Sequence, residues 1–367
     1  MTLGGHYKMK YYSLKKILKY NALYNVIFGQ RTNGKTFSVI SLMLEEFCKR
    51  GNASAYIRRL DSEIVNSEIH TLLNPHIDNI IKFSKGKYNN YVYKSRCFYL
   101  THVDENGEID EISQPFLYCL ALSKSSKSKG ADRGIIKYTL FDEFLTRSFY
   151  LANEFVLYCE VLATLIRDRE GTINFMVGNT VNKYCPYFNE MGLTHIDKQK
   201  QGTIDLYTYG NSDLTVAVEY CAESANTKGV SKYFAFNNPH LQMIHTGVWE
   251  FANYPHAPEK ITNDKILYRA FLKFDNNVLA INIIESTDVY LYIAPQTKDI
   301  PENVFVFVEN PEPNPYSITN ITTSSHKVPL LIWDLIKREK VFYTDNNTGE
   351  VFNNWIKFII RKPIYKM

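Results

Sequence analysis

Tyr24-Asn25-Val26-Ile27-Phe28-Gly29-Gln30-Arg31-Thr32-Asn33-Gly34-Lys35-Thr36 reads as a short apolar strand, a glycine-bounded loop and the start of a helix. Gly29-x-x-x-x-Gly34-Lys35-Thr36 matches the phosphate-binding loop pattern without a mismatch. In such a loop the backbone N–H groups of Gly29, Gln30, Arg31, Thr32, Asn33 and Gly34 turn inward and cradle phosphate oxygens. The helix that follows adds its positive end. Lys35 is placed to reach the β- and γ-phosphates of a nucleoside triphosphate, and the Thr36 hydroxyl to hold Mg²⁺. Context supports the motif: Phe37, Ile40, Leu44 and Phe47 recur at helical spacing after it, and Gly51 is a helix stop.

A second stretch completes the chemistry. Ile135-Ile136-Lys137-Tyr138-Thr139-Leu140-Phe141-Asp142-Glu143 is an apolar strand that delivers two adjacent carboxylates at its carboxyl end. Alone it reads equally as a strand end with two exposed acids. With a phosphate loop upstream it becomes a Walker B strand, Asp142 holding Mg²⁺ with Thr36 and Glu143 polarising the attacking water. ATP and Mg²⁺ are therefore the expected cofactors.

Other residues carry two readings. Asn52 to Arg59 reads as a second parallel strand, ending in Arg58 and Arg59 at the end of the sheet where a phosphate or a neighbouring subunit would be met. The plainer role is an ion pair with Asp61 or Glu63. Leu151 to Arg169 reads as a helix whose end carries Arg167 and Arg169. Cations suit a helix C-terminus; an arginine finger for a neighbour's γ-phosphate is the functional alternative. Thr172 to Asn179 reads as a core strand, with Asn179 either sensing the γ-phosphate or forming a turn. Between Ser123 and Gly130, Lys124, Lys127 and Lys129 are interleaved with serines. They suit contacts to a phosphodiester backbone, or form a solvated loop.

Composition excludes several classes. With 45% hydrophobic and 22% charged residues, a packed core is expected over 367 residues, long enough for two domains. A net charge of +4 leaves any nucleic-acid site to a local patch. The six cysteines show no zinc spacing, so reduced thiols in a cytoplasm are expected. No apolar run approaches about 18 residues, so no membrane partner or transmembrane helix is expected. Tyr12 to Tyr20 reads as a short basic amphipathic helix. Glu105-Asn106-Gly107 marks a hairpin inserted in the α/β domain. Residues 196–230 turn polar and read as a linker subdomain. Beyond them, 266–274, 277–284 and 289–294 read as three antiparallel strands and 330–337 as a helix. Asn346-Asn347-Thr348-Gly349 reads as a turn.

Taken together, Gly29 to Thr36, Tyr56-Ile57-Arg58-Arg59, Phe141-Asp142-Glu143-Phe144, Arg167-Asp168-Arg169-Glu170, Asn179 and Cys185-Pro186-Tyr187-Phe188 resemble, in order and spacing, the DNA-packaging ATPases (encapsidation proteins) of phi29-like tailed phages. The resemblance covers about the first 190 residues. It implies an additional-strand, catalytic-glutamate P-loop ATPase domain over 1–195, a linker over 196–230, and a β-rich α+β domain over 231–367 resembling a degenerate RNase H-like nuclease. It implies a homo-oligomeric ring, a pentamer by the family pattern, acting in the host cytoplasm at the portal of a procapsid and moving double-stranded DNA inward. Arg167 falls at the family's trans-acting finger, and some members work with a structural RNA. Asp275, Glu285, Asp288 and Asp345 form no convincing nuclease cluster. The alternatives are a large terminase with an active metal-dependent nuclease, and a nucleotide-gated binding protein without turnover.

Overall fold

The structure is a computed structural model. It describes residues 12–361 apart from 32, 125–132, 147–149, 152, 168, 181–184, 197, 211, 223–253 and 258–260. The chain divides into two compact units, residues 1–250 and 251–367.

The first unit is built on a nine-stranded sheet. Its strands are β1 (Tyr24–Gly29), β2 (Ala53–Arg58), β3 (Asn90–Lys94), β4 (Cys97–Val103), β5 (Ile109–Ala121), β6 (Ile136–Asp142), β7 (Ile173–Asn179), β8 (Ile204–Thr208) and β9 (Thr215–Tyr220). The order is β3-β4-β5-β2-β6-β7-β1-β9-β8. From β5 to β9 neighbouring strands are parallel, while β3, β4 and β8 are antiparallel additions at the two edges. One strand, β7, lies between the strand that enters the phosphate loop and the strand that ends in Asp142.

Central strands buried on both faces need continuous apolar runs rather than alternation. Val26-Ile27-Phe28 and Leu140-Phe141 supply them, each residue at most 1% exposed. Helices α1 (Lys35–Arg50) and α3 (Ile77–Phe83) cover one face, together with the short helix α2 (Ser62–Val65). Helices α4 (Glu154–Ile166) and α5 (Pro186–Glu190) cover the other, where Phe141, Tyr158 and Tyr187 pack ring to ring.

Three expectations are corrected here. Residues 204–220 are not part of a linker: β9 pairs along β1, burying Val216, Ala217 and Val218, so this polar-flanked stretch completes the first sheet. The segment after Tyr12 forms only a 3-10 turn over Ile17–Tyr20, with Leu14 and Ile17 as its buried anchors. Helix α4 is shorter than expected, ending where Arg167 takes a left-handed conformation (φ 42°).

The second unit holds a six-stranded sheet of β10 (Ile266–Phe274), β11 (Asn277–Glu285), β12 (Val289–Pro295), β13 (Val306–Val308), β14 (Ser317–Ile318) and β15 (Val341–Tyr343), ordered β14-β13-β10-β11-β12-β15. The three long strands form the expected antiparallel meander. Strand β13 joins β10 in parallel, β14 joins β13 in parallel, and β15 joins β12 in parallel. Helix α6 (Lys327–Lys337) covers the expected helical stretch. Helix α7 (Asn346–Arg361) replaces the expected turn. The Asp345 carboxylate accepts from Thr348 N (2.8 Å) and Thr348 Oγ1 (3.1 Å), capping the helix so that Asn346 to Gly349 become its first turn.

Candidate functional site

The functional side chains gather at the carboxyl ends of the parallel strands, where an open α/β sheet places its ligand crevice. Gly29 ends β1 with φ 150° and lies against Cys221, so close that an added Cβ would fall 2.9 Å from the Cys221 Cβ. Gly34, left-handed at φ 86°, turns the chain into α1. Both positions thus require glycine, one for close approach and one for a positive φ.

Lys35 is buried, and its Nζ points back into the loop. It donates to the Gln30 carbonyl at 2.6 Å, to Asn33 Oδ1 at 3.2 Å and to Asn179 Oδ1 at 3.3 Å, with the Gly29 carbonyl at 3.5 Å. Burial pushes its pKa down to about 8, with Arg31 adding to the effect and Cys221 and Asp142 opposing it. Asn179 arrives because β7 pairs with β1 in register, Asn179 opposite Gly29.

Thr36 Oγ1 donates to Asp142 Oδ1 at 2.9 Å, and Tyr56 OH donates to Asp142 Oδ2 at 3.0 Å. Burial raises the Asp142 pKa, while Arg58, Thr36 and Tyr56 hold it down. A hydroxyl and a carboxylate side by side are hard oxygen donors of the kind Mg²⁺ takes. Among the described residues no group of three His, Cys, Asp or Glu side chains forms a metal cage.

Glu143 has a left-handed backbone (φ 57°), and its carboxylate accepts from Arg58 Nη2 at 2.8 Å. Arg58 also donates to Glu63 Oε1 through Nε (3.2 Å) and Nη2 (2.5 Å), and its Nη1 lies 3.7 Å from Asp142 Oδ2. Burial disfavours the Arg58 charge, but Tyr56, Asp142, Glu143 and Glu63 outweigh it and hold the pKa above the usual arginine value. Arg58 thus takes the plainer of its two readings, an ion pair with Glu63, and is also bound to the Glu143 carboxylate.

Arg59 does something the sequence did not reveal. Its Nε contacts both Glu154 oxygens (3.0 and 2.9 Å), while Nη1 and Nη2 donate to the carbonyls of Glu143 (3.1 Å) and Phe144 (2.7 Å). Glu154 also accepts from Tyr187 OH at 2.9 Å and from Leu151 N at 2.6 Å. Arg59 thus clamps the backbone that aims Glu143. Asp61 is paired with Arg96 instead (2.6 and 3.1 Å).

Tyr12 is a further residue without a sequence signal. Its N–H donates to the Asn33 carbonyl at 2.8 Å, its carbonyl accepts from Ser38 Oγ, and its OH donates to Glu219 Oε2 at 2.5 Å. It ties the phosphate loop to β9.

Arg167 is not brought to this site. Helix α4 starts beside the Glu143 turn, where Glu154 meets Arg59, and ends ahead of β7, where Arg169 donates to the Gly134 carbonyl before β6. Thirteen helical residues span about 20 Å, so Arg167 sits at the amino end of the sheet, remote from its own phosphate loop. Lys124 follows β5 and lines a cleft of ≈ 400 Å³ with Asp61, Ser95, Arg96, Tyr118, Cys119, Leu120 and Arg133. Lys127, Lys129 and Thr32 lie outside the described residues.

Solved structures share this fold. A solved structure of the Phi-28 gp11 DNA packaging motor covers 98% of this chain and 100% of its own, with a TM-score of 0.55 and 22% identity. The bacteriophage Phi-29 viral genome packaging motor assembly covers 96% and 99%, with a TM-score of 0.55 and 18% identity. These likenesses establish the fold. The DNA packaging proteins of Bacillus phages phi29 and PZA are each 26% identical over 186 residues, 49% of this chain and 50% of theirs. The chain therefore spans about half the length of the curated relatives it matches. The model of the Podovirus DNA encapsidation protein (Gp16) family matches residues 7–233, more than half of the chain, and the chain belongs to that family.

Proposed function

We propose that the chain is a DNA-packaging motor ATPase, hydrolysing ATP to translocate double-stranded viral DNA through the portal of a procapsid in the host cytoplasm. The observation that carries the reading is the convergence of Lys35, Thr36, Asn179, Asp142 and Glu143 at the carboxyl ends of β1, β6 and β7. The loop N–H groups and Lys35 bind the triphosphate, and Asn179 monitors the γ-phosphate. Thr36 and Asp142 hold Mg²⁺, which when bound offsets charge on the phosphate oxygens. Glu143 accepts a proton from water as the water oxygen bonds to the γ-phosphorus and the bond to the bridging oxygen breaks, giving ADP and phosphate. Glu143 must first leave Arg58, which occupies its carboxylate.

The remote position of Arg167 supports a finger acting in trans, and with it a homo-oligomeric ring, a pentamer by family likeness. Lys124, with Lys127 and Lys129, is assigned to the DNA backbone, without sequence preference. No helix among the described residues is long and apolar enough to cross a membrane. The second unit's β12-β11-β10-β13-β14 order, an antiparallel meander followed by two parallel strands, supports a nuclease-like ancestry of the RNase H type. Its central strand β10 carries Arg269 and Lys273 but no acid, so we assign it no cleavage and a docking role at the portal vertex or on a packaging RNA.

DNA-stimulated ATP hydrolysis by wild type, Glu143→Gln, Arg167→Ala and their mixture tests the reading. Each variant alone is expected to be inactive, and the mixture to recover activity, because an Arg167→Ala site borrows the arginine of a Glu143→Gln neighbour. A wild type that hydrolyses nothing with or without DNA sinks the motor reading. An inactive mixture sinks the trans finger.

A further inference from the structure

The hairpin inserted at the sheet edge projects away from the nucleotide end. Strand β5 pairs with β2 only from Leu117 to Ala121, and β3 accompanies β4 only as far as Thr101. Beyond Thr101 on β4 and before Leu117 on β5 the two continue as a ribbon, Val103 opposite Ile109 and His102 opposite Glu111, tied to the preceding loop through Asn89 on the Val103 backbone and Lys87 on Glu111. Ile109 lies about 26 Å along β5 from Leu117, toward the amino ends of the parallel strands. Two-stranded ribbons are marginal in water without a cover, yet this one holds Ile109 and Ile112 more than half exposed (54% and 55%). Two of its acids are paired locally, Glu111 with Lys87 (3.0 Å) and Asp110 with His102 (2.8 Å), and the acids of its turn, Glu105 and Glu108, carry the surplus charge. Residues 102–112 contain Asp104, Glu105, Glu108, Asp110 and Glu111, and no Lys or Arg.

The opposite end of the same strand has the opposite sign. Where β5 ends, the ≈ 400 Å³ cleft is lined by Arg96, Lys124 and Arg133 against the single carboxylate Asp61, with Tyr118 and Leu120 as apolar floor and the Arg133 guanidinium laid over the Tyr118 ring at 5.8 Å. One strand thus carries an acidic, partly apolar prong at its start and a cationic, partly apolar socket at its end. A surface that meets a complementary surface elsewhere on the same molecule makes head-to-tail contacts, which form a ring where the rotation closes and an open filament where it does not.

We infer that the β4–β5 ribbon of one copy docks in the cleft at the end of β5 of a second copy. The acids of the prong also make it unsuited to nucleic acid, which leaves a basic protein surface as its partner. The inference rests on the proposed trans-acting site in one respect: Arg167 lies at the same end of the sheet as the ribbon, so the docking that seats the ribbon carries Arg167 toward the neighbour's nucleotide end.

The test is self-association of the full chain, followed by sedimentation at low salt without DNA. Glu105→Lys with Glu108→Lys reverses the prong at two side chains on the exposed turn, and Arg133→Glu reverses the socket at a cation with no assigned DNA role. Each change is expected to weaken association about tenfold or more, and the triple variant to restore it. Wild-type association in either reversed form, or a triple variant no tighter than the reversed forms, overturns the inference. Glu105→Gln with Glu108→Gln removes the charge without adding any. It is expected to flatten the salt dependence of association, and an unchanged salt slope counts against the docking. Failure here leaves the ATPase mixing result untouched, and failure of the mixing experiment leaves the docking measurable, so the two ideas fall separately.

Discussion

Lys35 carries the first prediction. Its ammonium is buried among carbonyls, and its pKa falls to about 8 chiefly because burial disfavours the charge. A bound triphosphate favours the charged form, so the pKa in the complex lies higher than in the free site. Binding then takes up a proton above pH 8, and affinity falls as pH rises, by up to about tenfold per pH unit. Calorimetric titration with a non-hydrolysed triphosphate at pH 7 and pH 9 checks this, with Lys35→Met as the weak, pH-independent control. For folding the sign is opposite: the buried charge is a cost below pH 8, relieved as pH rises toward the unfolded value of 10.5. Arg58 carries the second. It holds the Glu143 carboxylate at 2.8 Å, so Arg58→Ala frees the base in the absence of DNA. The expected result is a smaller ratio of DNA-stimulated to basal ATPase rates, and a ratio equal to wild type sinks the idea that Arg58 restrains Glu143. The grouping of Lys35 and Thr36 was legible because a phosphate-loop pattern fixes residue types at short spacing, and that of Asp142 and Glu143 because they end an apolar strand that a loop-bearing sheet places beside the loop. Arg59 with Glu154 and Tyr12 with Glu219 were not, because the partners stand 95 and 207 positions apart and meet only when the sheet forms.

Among the elements, the Glu143 turn depends on a helix start. Glu154 opens α4, is fully buried as a side chain, and holds Arg59, which in turn holds the carbonyls of Glu143 and Phe144. Removing one partner of a buried pair leaves the other charge uncompensated, so Glu154→Ala is expected to cost about 3–5 kcal/mol in denaturant unfolding. A cost under about 1 kcal/mol would mean that the clamp is dispensable. Helix α7 is a further element misread from sequence, since Asn346-Asn347-Thr348-Gly349 has turn chemistry and the Asp345 cap converts it to a helix. Gly349 has a packing reason to be small: a Cβ there would overlap the Tyr254 ring. Gly349→Ala is expected to destabilise the second unit by about 1–3 kcal/mol, and by much less in a Tyr254→Ala background. Equal costs in the two backgrounds, measured by denaturant midpoints, would remove the ring from the explanation.

For the molecule as a whole, the division of the sheets decides how it melts. The first unit buries its strands between α1 and α3 on one face and α4 and α5 on the other, and every residue of the nucleotide site belongs to it. The second unit has its own interior, with Trp355 packed on Phe307 and Phe352. The boundary was not legible at residue 196, because polar composition over 196–214 conceals an edge hairpin whose inner strand β9 is apolar only where it meets β1. Two cores predict two cooperative transitions in calorimetry. A ligand stabilises only the unit that binds it, so a triphosphate at a hundred times its Kd adds about 2.7 kcal/mol to the first unit alone. The expected trace has one transition that moves upward with nucleotide and Mg²⁺ while the other stays in place. Lys35→Met should lose that shift and keep both transitions. A single transition moving as one body would mean that the two sheets unfold together and that nucleotide energy is shared across the whole chain.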